Sequence, residues 1–371
     1  MDVSIVIVSY RVKYFLEQTI AAAREAVTGI DAEIIVVDNN SPDDTMAHVK
    51  PRFPDVTFVE NHDNVGFARA NNQAINMARG RYILILNPDT IITTRSITEP
   101  MRWMQSHPKC SAIGVHMIDG DGVFLPESKR AFPSPWVSFC KIFGLSKLFP
   151  RSRWFAKYHL RYLDEHQPHS VDILAGAYMF CRTDVLRQMH GFDEEFFMYG
   201  EDIDLSYRMV QAGYENWYLP VDIVHYKGES TKKDSLQYVR IFYDAMLIFY
   251  RKHFPKFRIV AYPIVKLGVW VRQSLAMLKR VFKSLFCCKK KKEKPGQWVI
   301  LSNRAPEVAQ QAGISDYSDT IPATGKAQVL IDNRCHTYSQ IVETIATRSR
   351  KGLNFHIYSE QNQLIITPKM H

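Results

Sequence analysis

The strongest constraint on this chain is a rhythm in its first hundred residues, where short unbroken apolar runs alternate with amphipathic stretches. Val3 to Ser9 is one such run, Tyr14 to Ala26 has helical periodicity, and Glu33 to Val37 is a second β-branched run ending at Asp38-Asn39-Asn40-Ser41. Val56 to Glu60 reads as a third strand, Ala68 to Met77 as a helix, and Arg81 to Leu86 as a fourth strand ending at Asn87-Pro88-Asp89. This alternation predicts a parallel, doubly wound α/β sheet. Such sheets bind ligands beyond the carboxyl ends of their strands, where Ser9-Tyr10, Asp38-Asn39-Asn40 and Asn87-Asp89 all stand. One cleft can collect all three groups.

A second cluster lies downstream. Gly200-Glu201-Asp202-Ile203-Asp204-Leu205 packs three carboxylates into four residues of an otherwise apolar segment. Desolvating them without charge partners is too costly, so they are expected to line a polar cleft. A helix is predicted over Asp202 to Ala212, with Ile203, Tyr207 and Val210 on one face and Gly213 closing its end. The acids then occupy its first turn, where the helix dipole favours negative charge. Between the two regions, residues 123 to 170 are rich in Pro, Trp, Phe and Arg without clear period, which suggests a long insert able to cover an acceptor.

Charge is unevenly spread. The net charge is +9, yet residues 250 to 294 hold fourteen Lys or Arg against the single acid Glu293. Nucleic acid is one partner for such a run. Here, however, the cations interleave with Ile259, Tyr262, Leu267, Trp270, Leu278 and Phe282, and an apolar face with a cationic rim suits an anionic membrane surface instead. Lys266, Arg272 and Lys279 break any run long enough to span a bilayer. The expectation is a surface-lying segment over 251–295, with no nucleic-acid partner. The start of the chain lacks the basic and long apolar regions of a signal peptide, and the six Cys lack CxxC pairs; both suit a reducing cytosol and free thiols.

Composition changes after Lys289-Lys290-Lys291-Lys292-Glu293-Lys294-Pro295-Gly296, which reads as a linker. Strands are predicted at Trp298–Leu301, Gln328–Asp332, Asn354–Ser359 and Gln363–Thr367, with a helix at Tyr338–Thr347. The organisation expected is therefore a catalytic domain over 1–250, the basic segment over 251–295, and a small α/β module over 296–371 in which no catalytic constellation is visible.

Asn87-Pro88-Asp89 offers hard oxygen ligands suited to Mg²⁺ or Mn²⁺ bridging two phosphates, although an Asx turn after a strand accounts for it equally well. Asp38 could accept from a pyrimidine imide or from ribose hydroxyls. Asn64-Val65-Gly66-Phe67-Ala68-Arg69-Ala70-Asn71-Asn72 sets a Gly before a helix and an Arg in its first turn, which is sensible if a pyrophosphate lies beside it. His225 follows an apolar alternation and could complete a metal site with Asp89.

Taken in order, Val3 to Tyr10, Ile34 to Ser41, Asn64 to Asn72, Leu86 to Thr90, Gly200 to Leu205 and Val224 to Thr231 resemble an inverting family-two glycosyltransferase of the GT-A fold, in its bacterial rhamnosyltransferase and galactofuranosyltransferase branch. The resemblance covers about residues 1 to 250. It implies a nucleotide-diphospho-sugar donor held at Ser9, Tyr10, Asp38, Arg69, Asn72 and Asn87, a divalent cation on Asp89 and His225, and Asp202 as the base that deprotonates an acceptor hydroxyl. Glu201 and Asp204 would orient the acceptor or the base. It further implies a lipid-linked glycan acceptor, dTDP-rhamnose as donor or else a UDP-sugar (galactofuranose, galactose or glucose), and a cytoplasmic enzyme resting on the inner face of the cell membrane. A scaffold that had lost catalysis would instead lack the base or a metal ligand.

Overall fold

The computed structural model describes residues 1–134, 136–137, 140, 145–149, 152–154, 157–228, 236–254 and 296–368. Its first half follows the predicted alternation: β1 (Val3–Ser9), α1 (Lys13–Ala26), β2 (Ala32–Asp38), α2 (Thr45–Val49), β3 (Thr57–Glu60), α3 (Phe67–Met77) and β4 (Tyr82–Leu86). Every residue of β1 and β4 is buried. That burial on both faces is why these strands read as unbroken apolar runs. A short β5 (Thr90–Ile91), α4 (Thr94–Ser106), β6 (Cys110–Ile118), the single turn α5 (Leu145–Leu148), β7 (His169–Val171), β8 (Tyr178–Arg182), α6 (Thr183–Gln188), α7 (Glu201–Gln211), β9 (Glu215–His225) and α8 (Leu236–His253) follow.

The strands form one sheet in the order β3-β2-β1-β4-β8-β6-β9-β5, with β7 pairing on β9. β1 pairs parallel with both β2 and β4, so the chain's path reverses direction across the sheet at β1. In open α/β sheets the ligand crevice lies at such a reversal, outside the carboxyl ends of the strands. The register sets Ser9 opposite Asp38 and Ile7 opposite Leu86, which brings the polar strand ends to one edge.

Two helix starts have local causes. Thr93 and Ser96 form a reciprocal capping box, which starts α4 at Thr94. Gly200, in the left-handed region at φ 84°, lets α7 start at Glu201.

After residues 255–295, which lie outside the described residues together with nearly all of the expected basic membrane segment, a second sheet forms. It comprises β10 (Gln297–Leu301), α9 (Ala305–Ala312), β11 (Tyr317–Ser318), β12 (Ala327–Asp332), α10 (Tyr338–Arg348), β13 (Leu353–Ser359) and β14 (Leu364–Ile366), in the order β11-β10-β12-β13-β14. The sequence pattern misses α9 because only Val308 and small Ala residues mark its inner face. This module packs on the back of α1. Both carboxylate oxygens of Glu25 accept hydrogen bonds from the Tyr338 and Ser339 backbone N–H groups, at 2.9 and 3.1 Å. Glu25 thus caps the N-terminus of α10 across the two sheets. Asn362 donates to the buried Glu17 at 2.8 Å. Among the described residues no helix is long and apolar enough to cross a membrane.

Candidate active site

The crevice is built by three backbone ends. Ser9 closes β1 and Asp38 closes β2, with the Asn39 N–H donating to the Ser9 carbonyl at 2.9 Å. Asp38 accepts from both the hydroxyl and the backbone N–H of Ser41, at 2.6 and 2.8 Å. Burial raises the Asp38 carboxyl above its ordinary value, and the two Ser41 hydrogen bonds offset only part of this. The Ser9 hydroxyl is buried without a hydrogen-bond partner. Tyr10 is half-buried beneath the Arg11 guanidinium, 5.1 Å from its ring centre.

At the end of β4 the chain turns through Asn87-Pro88-Asp89 under the Thr19 hydroxyl of α1, which donates to the carbonyls of Pro88 and Thr90, both at 2.8 Å. β5 pairs antiparallel with β9 and sets Thr90 opposite His225. The His225 Nε2 consequently lies 3.3 Å from Asp89 Oδ1 and 3.4 Å from the Asn87 amide nitrogen, while His225 Nδ1 is buried with no partner. One carboxylate, one imidazole and one amide converge in a buried corner, a donor set that could hold a hard divalent cation. No larger His, Cys, Asp or Glu group of metal-site geometry occurs among the described residues.

The acidic helix meets this corner through the turn that leads into β8. The Asn87 N–H donates to the Ala177 carbonyl at 2.9 Å, and the neighbouring Gly176 N–H donates to Asp202 Oδ2 at 3.1 Å. A Cβ on Gly176 would sit at ordinary contact distance, 3.4 Å from Asp202 Cβ and 3.6 Å from the Phe67 ring, which shows how close the two elements lie. Asp202 also accepts from Arg130 at 2.5 Å. Arg130 arises in the irregular insert; it is buried, donates also to the Leu174 carbonyl, and keeps its Nε without a partner. Nothing in its sequence context marks it, because the pairing spans 72 residues.

The three acids of α7 have different surroundings. Glu201 is buried and one of its oxygens has no partner; burial first, and then the adjacent Asp202 charge, push its carboxyl well above the usual range. Asp204 is fully engaged, by Arg208 at 2.7 Å and by His253 of α8 at 2.6 Å. Its contacts tie α8 to α7. Arg69 is more than half exposed and pairs with Glu194 at 3.1 Å, and the Asn72 amide is shared between Phe192 and Glu194. Both side chains hold the loop before α7 against α3. Gly66, at φ 87°, allows the same close approach: a Cβ there would fall 2.6 Å from the Phe197 carbonyl oxygen.

The model of glycosyl transferase family 2 matches residues 4–189, half of the chain. The chain belongs to that family. The matched stretch carries β1, β2 and the Asn87-Pro88-Asp89 turn; the same sheet continues beyond it to β9. It is 28% identical over 257 residues, 66% of this chain and 82% of the relative, to an N-acetylglucosaminyl-diphospho-decaprenol L-rhamnosyltransferase of Mycobacterium tuberculosis. It is 29% identical over 173 residues to the rhamnosyltransferase WbbL of Escherichia coli, covering 43% of this chain and 61% of that one. A mannosyltransferase from Pyrobaculum calidifontis, solved with GDP-Man and Mn²⁺, superposes with a TM-score of 0.47 at 16% identity, covering 77% of this chain and 81% of that one. The protein is thus a family 2 glycosyltransferase with a mixed α/β fold, similar in sequence to rhamnosyltransferases.

Proposed function

We propose that this glycosyltransferase moves L-rhamnose from dTDP-rhamnose to a diphospho-prenol-linked glycan with inversion. The observation that carries the reading is the short backbone bridge from Asn87 through Ala177 and Gly176 to Asp202, which sets an acid beside the metal-competent corner. In a single displacement the acceptor hydroxyl oxygen bonds to the anomeric carbon as the bond to the diphosphate breaks. The hydroxyl proton passes to Asp202, and the nucleoside diphosphate leaves. Arg130 and the Gly176 N–H fix the direction in which the Asp202 carboxylate points. Burial and the adjacent Asp202 charge raise the Glu201 carboxyl, which favours its neutral form beside the base.

Asp89 and His225, with Asn87 beside them, would hold Mg²⁺ or Mn²⁺, which when bound supplies charge neutralisation for the departing diphosphate. Asp38, Ser9 and Tyr10 would bind the nucleoside. The unsatisfied Ser9 hydroxyl and His225 Nδ1 are buried polar groups of the kind that a ligand satisfies. Arg69 would reach a phosphate only by leaving Glu194, and Asn72 would act through the loop it clamps. The enzyme would work on the cytoplasmic face of the cell membrane, where its acceptor is anchored, held there by residues 251–295.

A second reading, a UDP-glucose transferase, draws support from the 30% identity over 122 residues to an Escherichia coli UDP-Glc:alpha-D-GlcNAc-diphosphoundecaprenol beta-1,3-glucosyltransferase, which covers 33% of this chain and 48% of that one. Nucleoside diphosphate release separates the two. Purified protein is assayed with dTDP-rhamnose and a panel of UDP-sugars, with Mn²⁺ and with EDTA. Metal-dependent turnover of dTDP-rhamnose that is lost in Asp202→Asn is expected; turnover of a UDP-sugar alone would overturn the donor assignment, and neither binding nor turnover of any donor would favour a scaffold.

A further inference from the structure

The insert between β6 and β7 carries a second feature that catalysis does not use. Residues 128–163 contain no Asp or Glu but eight Lys or Arg, and the run ends abruptly at Asp164-Glu165. Within this stretch the structure exposes large apolar side chains: Leu148 at 69%, Trp154 at 76%, and Trp136 and Phe149 at nearly half. The Trp136 indole N–H donates to the Trp154 carbonyl at 3.3 Å, so the two Trp segments lie side by side. Arg153, Lys157 and Arg161 are exposed around them, with the Arg153 guanidinium 5.5 Å from the Tyr162 ring centre. Water-exposed Trp, Phe and Leu in a field of cations are unfavourable in solution and suit a bilayer interface, where the rings enter the headgroup region and the cations meet anionic lipid.

The root of the insert shares its packing with the helix that leads into the basic segment. The Phe132 ring lies 5.7 Å from Phe249 and 5.4 Å from Phe254, and the Tyr250 hydroxyl donates to the Pro133 carbonyl at 2.9 Å. Arg130, at the same root, grips Asp202. The start of the insert and the end of α8 therefore share one aromatic cluster beside the acidic helix.

We propose that the exposed aromatic and cationic face presented by Trp136, Leu148, Phe149, Arg153, Trp154 and Lys157 is a docking surface for an anionic lipid bilayer, which sets the crevice against the membrane that carries the acceptor. The proposal rests on the acceptor reading above, but its test does not. The full-length protein is mixed with vesicles of phosphatidylcholine alone and of phosphatidylcholine with phosphatidylglycerol, and the bound fraction is measured by flotation. Binding to the anionic vesicles is expected, with loss of about tenfold or more in partition for Trp136→Ser/Phe149→Ser/Trp154→Ser and a similar loss for Arg153→Glu/Lys157→Glu. Nucleoside diphosphate release without acceptor is expected to stay at the parent level in both variants, which shows that they fold. Parent-level partition of both variants overturns the proposal, as does equal binding to neutral vesicles, or capture by polyuridylic acid instead of vesicles. Failure of every donor in the release assay would sink the acceptor reading and leave the flotation result standing.

Discussion

The two sheets of this protein end in similar ways and use those ends differently. At the carboxyl edge of the first sheet, Ser9, Glu201 and His225 each keep a buried polar atom with no protein partner. At the carboxyl edge of the second, Ser302 donates to Asp332 at 2.7 Å, Cys335 lies 3.3 Å from the same carboxylate, and Arg304 bridges Asp332 and Glu360. The first edge is left open and the second is closed on itself. Buried polar groups are nearly always satisfied, so unsatisfied ones at a crevice mark where a ligand completes the structure, whereas a closed network marks a structural joint. Strand topology alone would have nominated both edges.

Substitutions can break this contrast. The largest effect is expected at the open edge: Asp202→Asn and Asp89→Ala should each lower donor turnover by about a hundredfold or more in steady-state nucleoside diphosphate release. Arg130→Met should lose about a hundredfold through misplacement of Asp202, and Arg130→Lys should recover part of that. The closed edge should behave the opposite way. Asp332→Ala is expected to cost about 2 kcal/mol in denaturant unfolding and to leave turnover unchanged, because it orphans buried donors and touches no substrate. A marked loss of turnover there would mean that the second edge is also a site.

The pH dependence sharpens the same comparison, since the two edges have opposite signs. Burial would raise Asp332, but the Arg334 N–H, the Ser302 and Cys335 side chains and the Arg304 charge together hold it below its usual value. Its contribution is present above the unfolded value and lost as pH falls through the folded one. Burial likewise lowers His356 in the same module, to about 4, so this stabilisation fades as pH falls from the ordinary histidine range toward that value. Glu201 is raised, so its contribution is full in acid and lost as pH rises through its folded value. Thermal melts should therefore show Glu201→Gln protecting in alkali and Asp332→Asn flattening the acid limb, each by roughly 2–4 °C. The smallest effect concerns the joint between the sheets: Glu25→Gln, which keeps the shape of the cap without its charge, should cost about 0.5–1 kcal/mol in the same melts.

Much of the first sheet was legible because its strands are buried on both faces and its polar residues fall where they stop. Asn87, Asp89 and His225 could each be picked out from residue type and position along the chain, and the structure brings those three together. Other features could not be read this way. Arg130 meets Asp202 from an aperiodic segment, and Asn72 and Arg69 turn toward the loop before α7 rather than away from it. Those partners lie about a hundred residues off and are selected by packing, which leaves no local trace. Helix α9 was missed for a different reason: an Ala-rich inner face gives a weak amphipathic signal.

The Glu25 cap on α10 has a consequence for the birth of the molecule. The carboxylate and its two N–H partners are separated by more than 300 residues of chain. At about 5–20 residues per second, α1 is made some tens of seconds before the groups that cover its back exist. During that wait the exposed flank of α1 is open to any other nascent chain or chaperone. A ribosome stalled ahead of residue 338 would therefore hold a finished crevice on an unfinished protein.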